Sequence, residues 1–148
     1  MKSLKDSDAS IIKALRGKGY KATPQRIAIS RFALNNYAHP TAQRIYDEVK
    51  KVYPTVSLAT IYKTVQILKE AGLVQELNFL KDQARFDPNM EPHVHLVCLQ
   101  CKSINDWMDP TISKIVERVS NEADFVAEGW NFDIFGICSS CERKAVKQ

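Results

Sequence analysis

Two cysteine pairs constrain this chain more than any other feature. Cys98-x-x-Cys101 and Cys138-x-x-Cys141 are its only cysteines. Two thiolate pairs at this spacing match a closed, tetrahedral, structural zinc site, in which each pair sits on a tight turn and offers both sulfurs to one ion. Four thiolates leave no open position for a substrate. The intervening stretch is longer than a zinc-ribbon gap and has room for a strand, a helix and further strands. Met1 to Tyr20 is charged throughout and lacks an apolar core, so a signal peptide is not expected. A reducing cytoplasm follows as the expected compartment, where metal ligation is favoured over disulfides. No apolar run is long enough to cross a membrane.

Charge divides the chain at about the same place as chemistry. Its 148 residues carry a net +4. Residues 1–85 hold 15 Lys and Arg against 7 Asp and Glu, and residues 86–148 hold 6 against 10. All four cysteines and two of the three histidines lie in the acidic part. This pattern predicts a basic module at 1–86 and a metal-binding module at 87–148. A basic module suits nucleic acid, although many basic faces are merely solvated.

The basic module reads as helical. Ser7 or Asp8 caps a first helix with Ile11, Ile12 and Leu15 on its apolar face, ended by Gly17 and Gly19. Thr23-Pro24 starts a second, carrying Ile27, Ile29 and Phe32 to about Asn35. Thr41 caps a third with Ile45, Val49 and Val52 inward, stopped by Pro54. Ser57 caps a fourth, Leu58 to about Glu70, with Ile61, Val65 and Leu68 inward and Thr60, Lys63, Thr64 and Lys69 on other faces. Two extended segments, Leu73–Phe79 and Ala84–Asp87, then flank Leu80-Lys81-Asp82-Gln83 as a hairpin. This is the order of a winged helix-turn-helix domain, whose fourth helix enters the major groove by its N-terminal end. Its first turns offer Ser57, Thr60, Tyr62 and Lys63 to phosphates and base edges. Taken singly, Tyr62 reads first as a core aromatic and Lys63 as a solvated charge; set within the pattern of caps and a hairpin, the DNA-contacting reading is preferred.

The second module reads as α/β. His93 to Cys98 forms a strand with His93, His95 and Val97 on one face and Val94, Leu96 and Cys98 on the other. Ile104–Met108 is a second strand. Asp109-Pro110 opens a helix through Ile112, Ile115, Val116 and Val119. Phe125–Cys138 reads as two strands broken near Glu128-Gly129. The aromatic content of so short a module suggests burial against a second copy. The overall expectation is therefore α+β: an N-terminal winged helix-turn-helix domain followed by a C-terminal α/β dimerisation domain.

A second metal site is less specific. His93 and His95 can share one ion or stand as independent surface histidines. Asp87 lies just before them and Asp106 on the neighbouring strand, yet Asp87 also suits a strand-end cap and Asp106 a turn. A site of imidazoles and carboxylates suits iron, manganese, zinc, cobalt or nickel. Spacing alone does not recruit His39, which lies in a connector.

Together the segments Ala22-Thr23-Pro24-Gln25-Arg26, Ala38-His39-Pro40-Thr41-Ala42, Ser57-Leu58-Ala59-Thr60-Ile61-Tyr62, Ala71-Gly72-Leu73-Val74, Arg85-Phe86-Asp87, His93-Val94-His95-Leu96-Val97-Cys98-x-x-Cys101 and Gly136-Ile137-Cys138-x-x-Cys141 resemble the ferric uptake regulator (Fur) family. The likeness runs from about Leu15 to Cys141. It implies a dimeric, metal-dependent transcription repressor, not an enzyme, with structural Zn2+ on Cys98, Cys101, Cys138 and Cys141. Within the family the chain is most similar to the peroxide-sensing branch. That similarity implies a regulatory Fe2+ or Mn2+ on His39, Asp87, His93, His95 and Asp106. Iron sensors usually carry Glu where Asp106 stands, and no histidine follows residue 95 here. The resemblance assigns Tyr62 to base contact and Lys21 to an adjacent minor groove. Lys63 departs from the Arg or Asn of other members at a position that helps select the operator.

The mechanism this implies is conformational. One ion gripping ligands from both modules would fix their angle, and in a homodimer the spacing of two recognition helices on a palindromic, AT-rich double-stranded operator. Converting a mostly open population to a mostly closed one requires about 5 kcal/mol of preferential binding. Peroxide reduced at ferrous iron would oxidise His39 and His93 and release DNA. The competing expectations are a sensor of iron, manganese or zinc availability, a small non-haem iron enzyme, and a zinc-stabilised interaction module without DNA binding.

Overall fold

Hydroxyl side chains set the helix starts in the N-terminal part of the computed structural model, which describes residues 7–79 and 83–147. Ser7 Oγ accepts from Ser10 N at the head of α1 (Asp8–Gly17), and Thr23 Oγ1 accepts from Arg26 N at α2 (Pro24–Leu34). Thr41 Oγ1 does the same for Arg44 N at α3 (Ala42–Val49), and Ser57 Oγ for Thr60 N at α4 (Leu58–Glu70). Each cap satisfies an otherwise orphaned N–H and fixes where its helix begins. Gly72, at φ 71°, then reverses the chain, and Leu73 N donates back to Leu68 O. Strands β1 (Gln75–Leu77) and β2 (Arg85–Asp87) pair antiparallel, Glu76 opposite Phe86. Of the expected turn, residues 80–82 lie outside the described residues. The chain divides into two compact units, Met1–Met90 and Glu91–Gln148.

The core of the first unit is built from Ile11 and Leu15 of α1, Ile29 of α2, Ile45 of α3, Ile61, Val65 and Leu68 of α4, and Phe86 of β2. Two expectations are corrected here. Val52 is not on the inner face of α3: the helix ends at Val49, whose carbonyl takes both Val52 N and Tyr53 N, and Val52 turns outward, 72% exposed. Thr64 is buried, not on an outer face of α4, because its hydroxyl donates to Thr60 O at 2.7 Å and only the methyl must pack. The inner face of α2 is Ile29, Ser30, Ala33 and Leu34, with Ile27 and Phe32 half-buried at its margins.

The second unit is a three-stranded sheet ordered β4-β3-β5. Strand β3 (Val94–Cys98) lies centrally, antiparallel to β4 (Ile104–Trp107) and parallel to β5 (Asp133–Gly136). The crossover runs through α5 (Pro110–Glu122), capped by Asp109, whose carboxylate accepts from both the amide and the hydroxyl of Thr111. Between Phe125 and Cys138 the described residues contain one strand, not two. Phe125 N is held by Ser120 O as the helix unwinds, Asp124 sits at φ 49°, and residues 126–132 form no strand, although Phe132 O accepts from His95 N just before β5. A sixth helix, α6 (Ser139–Val146), was not anticipated. Among the described residues no helix is long and apolar enough to cross a membrane.

Candidate metal and nucleic-acid sites

Strand β3 ends at Cys98, Cys101 follows on the turn to β4, Cys138 is the N-cap of α6, and Cys141 lies in that helix's first turn. The parallel pairing of β3 with β5 sets Cys98 opposite Gly136, which brings the two C-x-x-C turns together. All four sulfurs lie within 4.8 Å of one another, with Cys98–Cys141 at 3.9 Å and Cys101–Cys138 at 3.8 Å. A tetrahedron with Zn–S bonds of about 2.3 Å needs sulfurs about 3.8 Å apart, so the donor set fits zinc. The backbone N–H groups of Cys138 and Cys101 point at Cys98 Sγ, at 3.3 and 3.5 Å, and pull its thiol down to about 6. Hydrogen bonding to Ser103 also lowers Cys101. Cys141 is pushed up to about 12, first by its contact with the Cys138 thiol and then by burial. Four sulfurs this close ionise together only beside a cation.

The imidazoles are positioned by sheet register. His95 on β3 pairs with Asp106 on one side and Asp133 on the other, so all three side chains share a face. His93 Nδ1 donates to Glu91 O at 2.6 Å, and His95 Nδ1 lies 3.1 Å from Asp133 Oδ1. A carbonyl and a carboxylate only accept, so in the neutral rings both Nδ1 atoms carry the proton and both Nε2 atoms present lone pairs. Those Nε2 atoms face each other at 2.9 Å, with Asp106 Oδ1 3.3 Å from His93 Nε2 and 3.8 Å from His95 Nε2. Metal–nitrogen bonds of about 2.1 Å at right angles put donors about 3.0 Å apart. The three converging donors therefore fit a divalent ion of the iron, manganese or zinc type.

In the first unit His39 stands at φ 55°, a left-handed conformation uncommon for a side-chain-bearing residue. Phe86 N donates to Pro40 O and Arg85 Nη1 to His39 O, which docks this connector on β2. The docking places His39 Nε2 3.6 Å from Asp87 Oδ2, with both side chains fully buried. Asn89 N and Gln75 Nε2 hold the Asp87 carboxylate at 2.9 and 3.3 Å. An imidazole and a carboxylate held this way again have the chemistry of metal donors.

The remaining expected residues lie on or near α4. Ser57 Oγ is 3.0 Å from Thr60 Oγ1, and Thr60 is half-buried, so both hydroxyls are engaged in the cap. Tyr62 is 58% exposed, not a core aromatic. Lys63 is exposed with its Nζ 5.0 Å from the Tyr20 ring centre, and Lys21 is exposed in the connector before α2. Sequence reasoning missed Asp133 and the Glu91 carbonyl. The signal for Asp133 was a lone acid inside Phe132-Asp133-Ile134-Phe135, an otherwise apolar strand.

The sequence matches the ferric uptake regulator family over residues 17–135. This chain belongs to that family. The peroxide-responsive repressor PerR of Staphylococcus aureus is 36% identical over 133 residues, covering 90% of each protein. The Campylobacter jejuni peroxide stress regulator superposes with a TM-score of 0.72 at 32% identity, over 88% of this chain and 98% of that one. The Helicobacter pylori ferric uptake regulator, whose structure has three functional metal binding sites, shares the fold with a TM-score of 0.78 at 22% identity, over 96% and 97%. The Fur-family chain described here is thus a metal-dependent, DNA-binding regulator that acts as a dimer, and not an enzyme. Its fold is α+β, a winged helix-turn-helix followed by an α/β dimerisation domain.

Proposed function

We propose that this chain is a peroxide-sensing repressor whose regulatory ion takes ligands from both units: His39 and Asp87 from the first, His93, His95 and Asp106 from the second. The observation that carries this reading is the convergence of the two Nε2 atoms and Asp106 Oδ1, in a chain related to a peroxide-responsive repressor. Five nitrogen and oxygen donors suit Fe2+ or Mn2+. Each unit positions its own donors: register fixes His95 against Asp106, and the Pro40–Phe86 bond fixes His39 beside Asp87. Sharing one ion ties the angle between units, and so the spacing of the two recognition helices. Ferrous iron held by His39, Asp87, His93, His95 and Asp106 would supply the electrons to reduce peroxide beside these imidazoles, and His39 and His93 would be the residues modified.

Cys98, Cys101, Cys138 and Cys141 hold structural zinc. Lys21, Ser57, Thr60, Tyr62 and Lys63 face DNA, through residues 1–86, while residues 87–148 dimerise. Dimerisation is supported by the sheet face opposite His95, where Leu96, Trp107 and Ile134 are exposed together. A two-fold dimer reads a palindromic operator, and we take it to be AT-rich and the protein to work in the cytoplasm.

The test is DNA binding by iron-loaded and manganese-loaded protein, each with and without peroxide. Loss of binding in the iron form alone, with one oxygen added to the His39 or His93 peptide, is expected. Unmodified histidines with full loss of binding would refute the sensing route. The zinc-bound manganese uptake regulator, with a TM-score of 0.64 at 25% identity over 86% of this chain and 98% of that one, favours a second reading, metal-availability sensing. Operator binding that depends on metal and ignores peroxide would establish it.

A further inference from the structure

Five described cations of the first unit's surface are paired with carboxylates: Arg31 with Asp8, Arg44 and Lys51 with Glu48, Lys50 with Asp47, Lys69 with Glu76. Two others, Lys63 and Arg26, share one aromatic ring and are in no ion pair with a carboxylate among the described residues. Lys63 Nζ lies 5.0 Å and Arg26 Cζ 5.6 Å from the centre of the Tyr20 ring, and Arg26 Nη1 donates to Lys21 O at 2.9 Å. Tyr20 itself is half-buried and packs against the core, so its ring is held from below. Its backbone is held too, by Tyr20 N donating to Leu15 O at the end of α1. The ring therefore lies where its own loop meets the first turn of α2, with Arg26, and the second turn of α4, with Lys63.

Two cations drawn to one aromatic ring, with no carboxylate paired to them among the described residues, are matched by a polyanion. A flexible lysine loses rotamer freedom when it binds a phosphate or base edge, and a ring that already restrains it lowers that loss. We propose that Tyr20 is a positioning residue for Lys63, so that the contribution of Lys63 to DNA binding and operator choice depends on the Tyr20 ring. This inference rests on the DNA-binding reading of α4. A site-selective lysine at this place in α4 is thereby coupled to a residue outside the helix-turn-helix.

The experiment uses full-length, zinc-replete, manganese-loaded protein and duplexes selected by the wild type from a randomised pool. Tyr20→Leu, Lys63→Met and the double variant are compared, with Tyr20→Phe as the conservative control. Restraint of an exposed lysine by a ring contributes roughly two- to fivefold per subunit. Tyr20→Leu should weaken binding by that factor, and the double variant should bind no worse than Lys63→Met alone. The salt dependence supplies a readout that a merely structural role would not move. Losing Lys63 from DNA lowers the slope by about one per contact, and Tyr20→Leu should lower it likewise although it removes no charge. Tyr20→Phe should restore both affinity and slope. Additive losses in the double variant, or an unchanged slope in Tyr20→Leu, would overturn the coupling. A second measurement does not depend on DNA. The Lys63 side-chain methylene protons should be displaced upfield by the Tyr20 ring in the wild type and Tyr20→Phe, and return to ordinary positions in Tyr20→Leu. Their absence from the ring's field overturns the proposal even if DNA binding holds. Their presence in a protein that binds no duplex sustains the contact and overturns the DNA reading instead.

Discussion

Replacing Asp133 by leucine tests the most specific feature of the imidazole cluster. Asp133 Oδ1 lies 3.1 Å from His95 Nδ1, with the aspartate 18% and the histidine 1% exposed, so water substitutes poorly for the carboxylate. The carboxylate fixes the Nδ1–H tautomer and so aims the Nε2 lone pair toward Asp106. Without it the ring can flip or carry its proton on Nε2, and that donor is lost. Removing a carboxylate that orients a ligating histidine weakens metal binding by about 10- to 100-fold, or about 1.4 to 2.8 kcal/mol. Asp133→Asn keeps an acceptor oxygen and should fall at the mild end. The assay is Mn2+ competition against a fluorescent chelator on zinc-replete protein, with zinc content and thermal melting as controls. Asp133→Leu protein that folds, keeps its zinc and binds Mn2+ as tightly as the wild type would refute the reasoning, because His95 would then need no orienting partner.

Two further outcomes follow from the same geometry. Phe86, 1% exposed between the two residues that dock and pair the His39 connector, should cost about 3 to 5 kcal/mol on truncation to alanine, read by urea melting of the metal-free protein; a loss below about 1 kcal/mol would contradict its core role. Zinc affinity should rise with pH: above about 6 Cys98 is already a thiolate, whereas Cys141, pushed up to about 12, must release its proton on binding at neutral pH. Calorimetry in buffers of different ionisation enthalpy counts that proton, and proton release of zero near pH 7 would contradict the assignment. The sign for the metal-free fold is the reverse for the two thiols. The contribution of Cys98 is present above its ordinary value of 9.0 and fades as pH falls through about 6, while that of Cys141 fades as pH rises above 9.0 toward about 12.

Local chemistry was the legible part of the sequence. Ser7, Thr23, Thr41 and Ser57 each cap the helix expected of them, because a cap depends on three or four adjacent residues. The errors arose where a distant or competing contact decides. Period alone put Val52 on the inner face of α3, but the chain turns once Val49 O is shared by two N–H groups. Polarity alone put Thr64 outside, but a back-bonded hydroxyl makes threonine a small apolar residue. The helix α6 was hidden because Cys138-Ser139-Ser140-Cys141 reads first as a metal turn, although Glu142 in its first turn and Arg143 and Lys144 in its last suit the helix dipole. His39 was reachable only by resemblance: its place beside Asp87 comes from one backbone bond between Pro40 and Phe86, which no spacing rule encodes.

The parity of β3 explains why so much function rests on so short a strand. Odd-numbered His95 faces Asp106 and Asp133, while even-numbered Leu96 lies level with Ile134 on the opposite face, where Trp107 is also exposed. A slip of one residue against either neighbour would send His95 into the apolar face and Leu96 among the carboxylates. The same register sets Cys98 opposite Gly136, two residues short of Cys138, and so closes the four-sulfur cluster. Zinc at the strand's end would therefore pin the alignment of β3 with β5 that His95 needs for Asp133. On this argument, stripping the zinc should weaken the imidazole site before any ligand of that site is touched, and the two metals are linked through a strand register rather than through space.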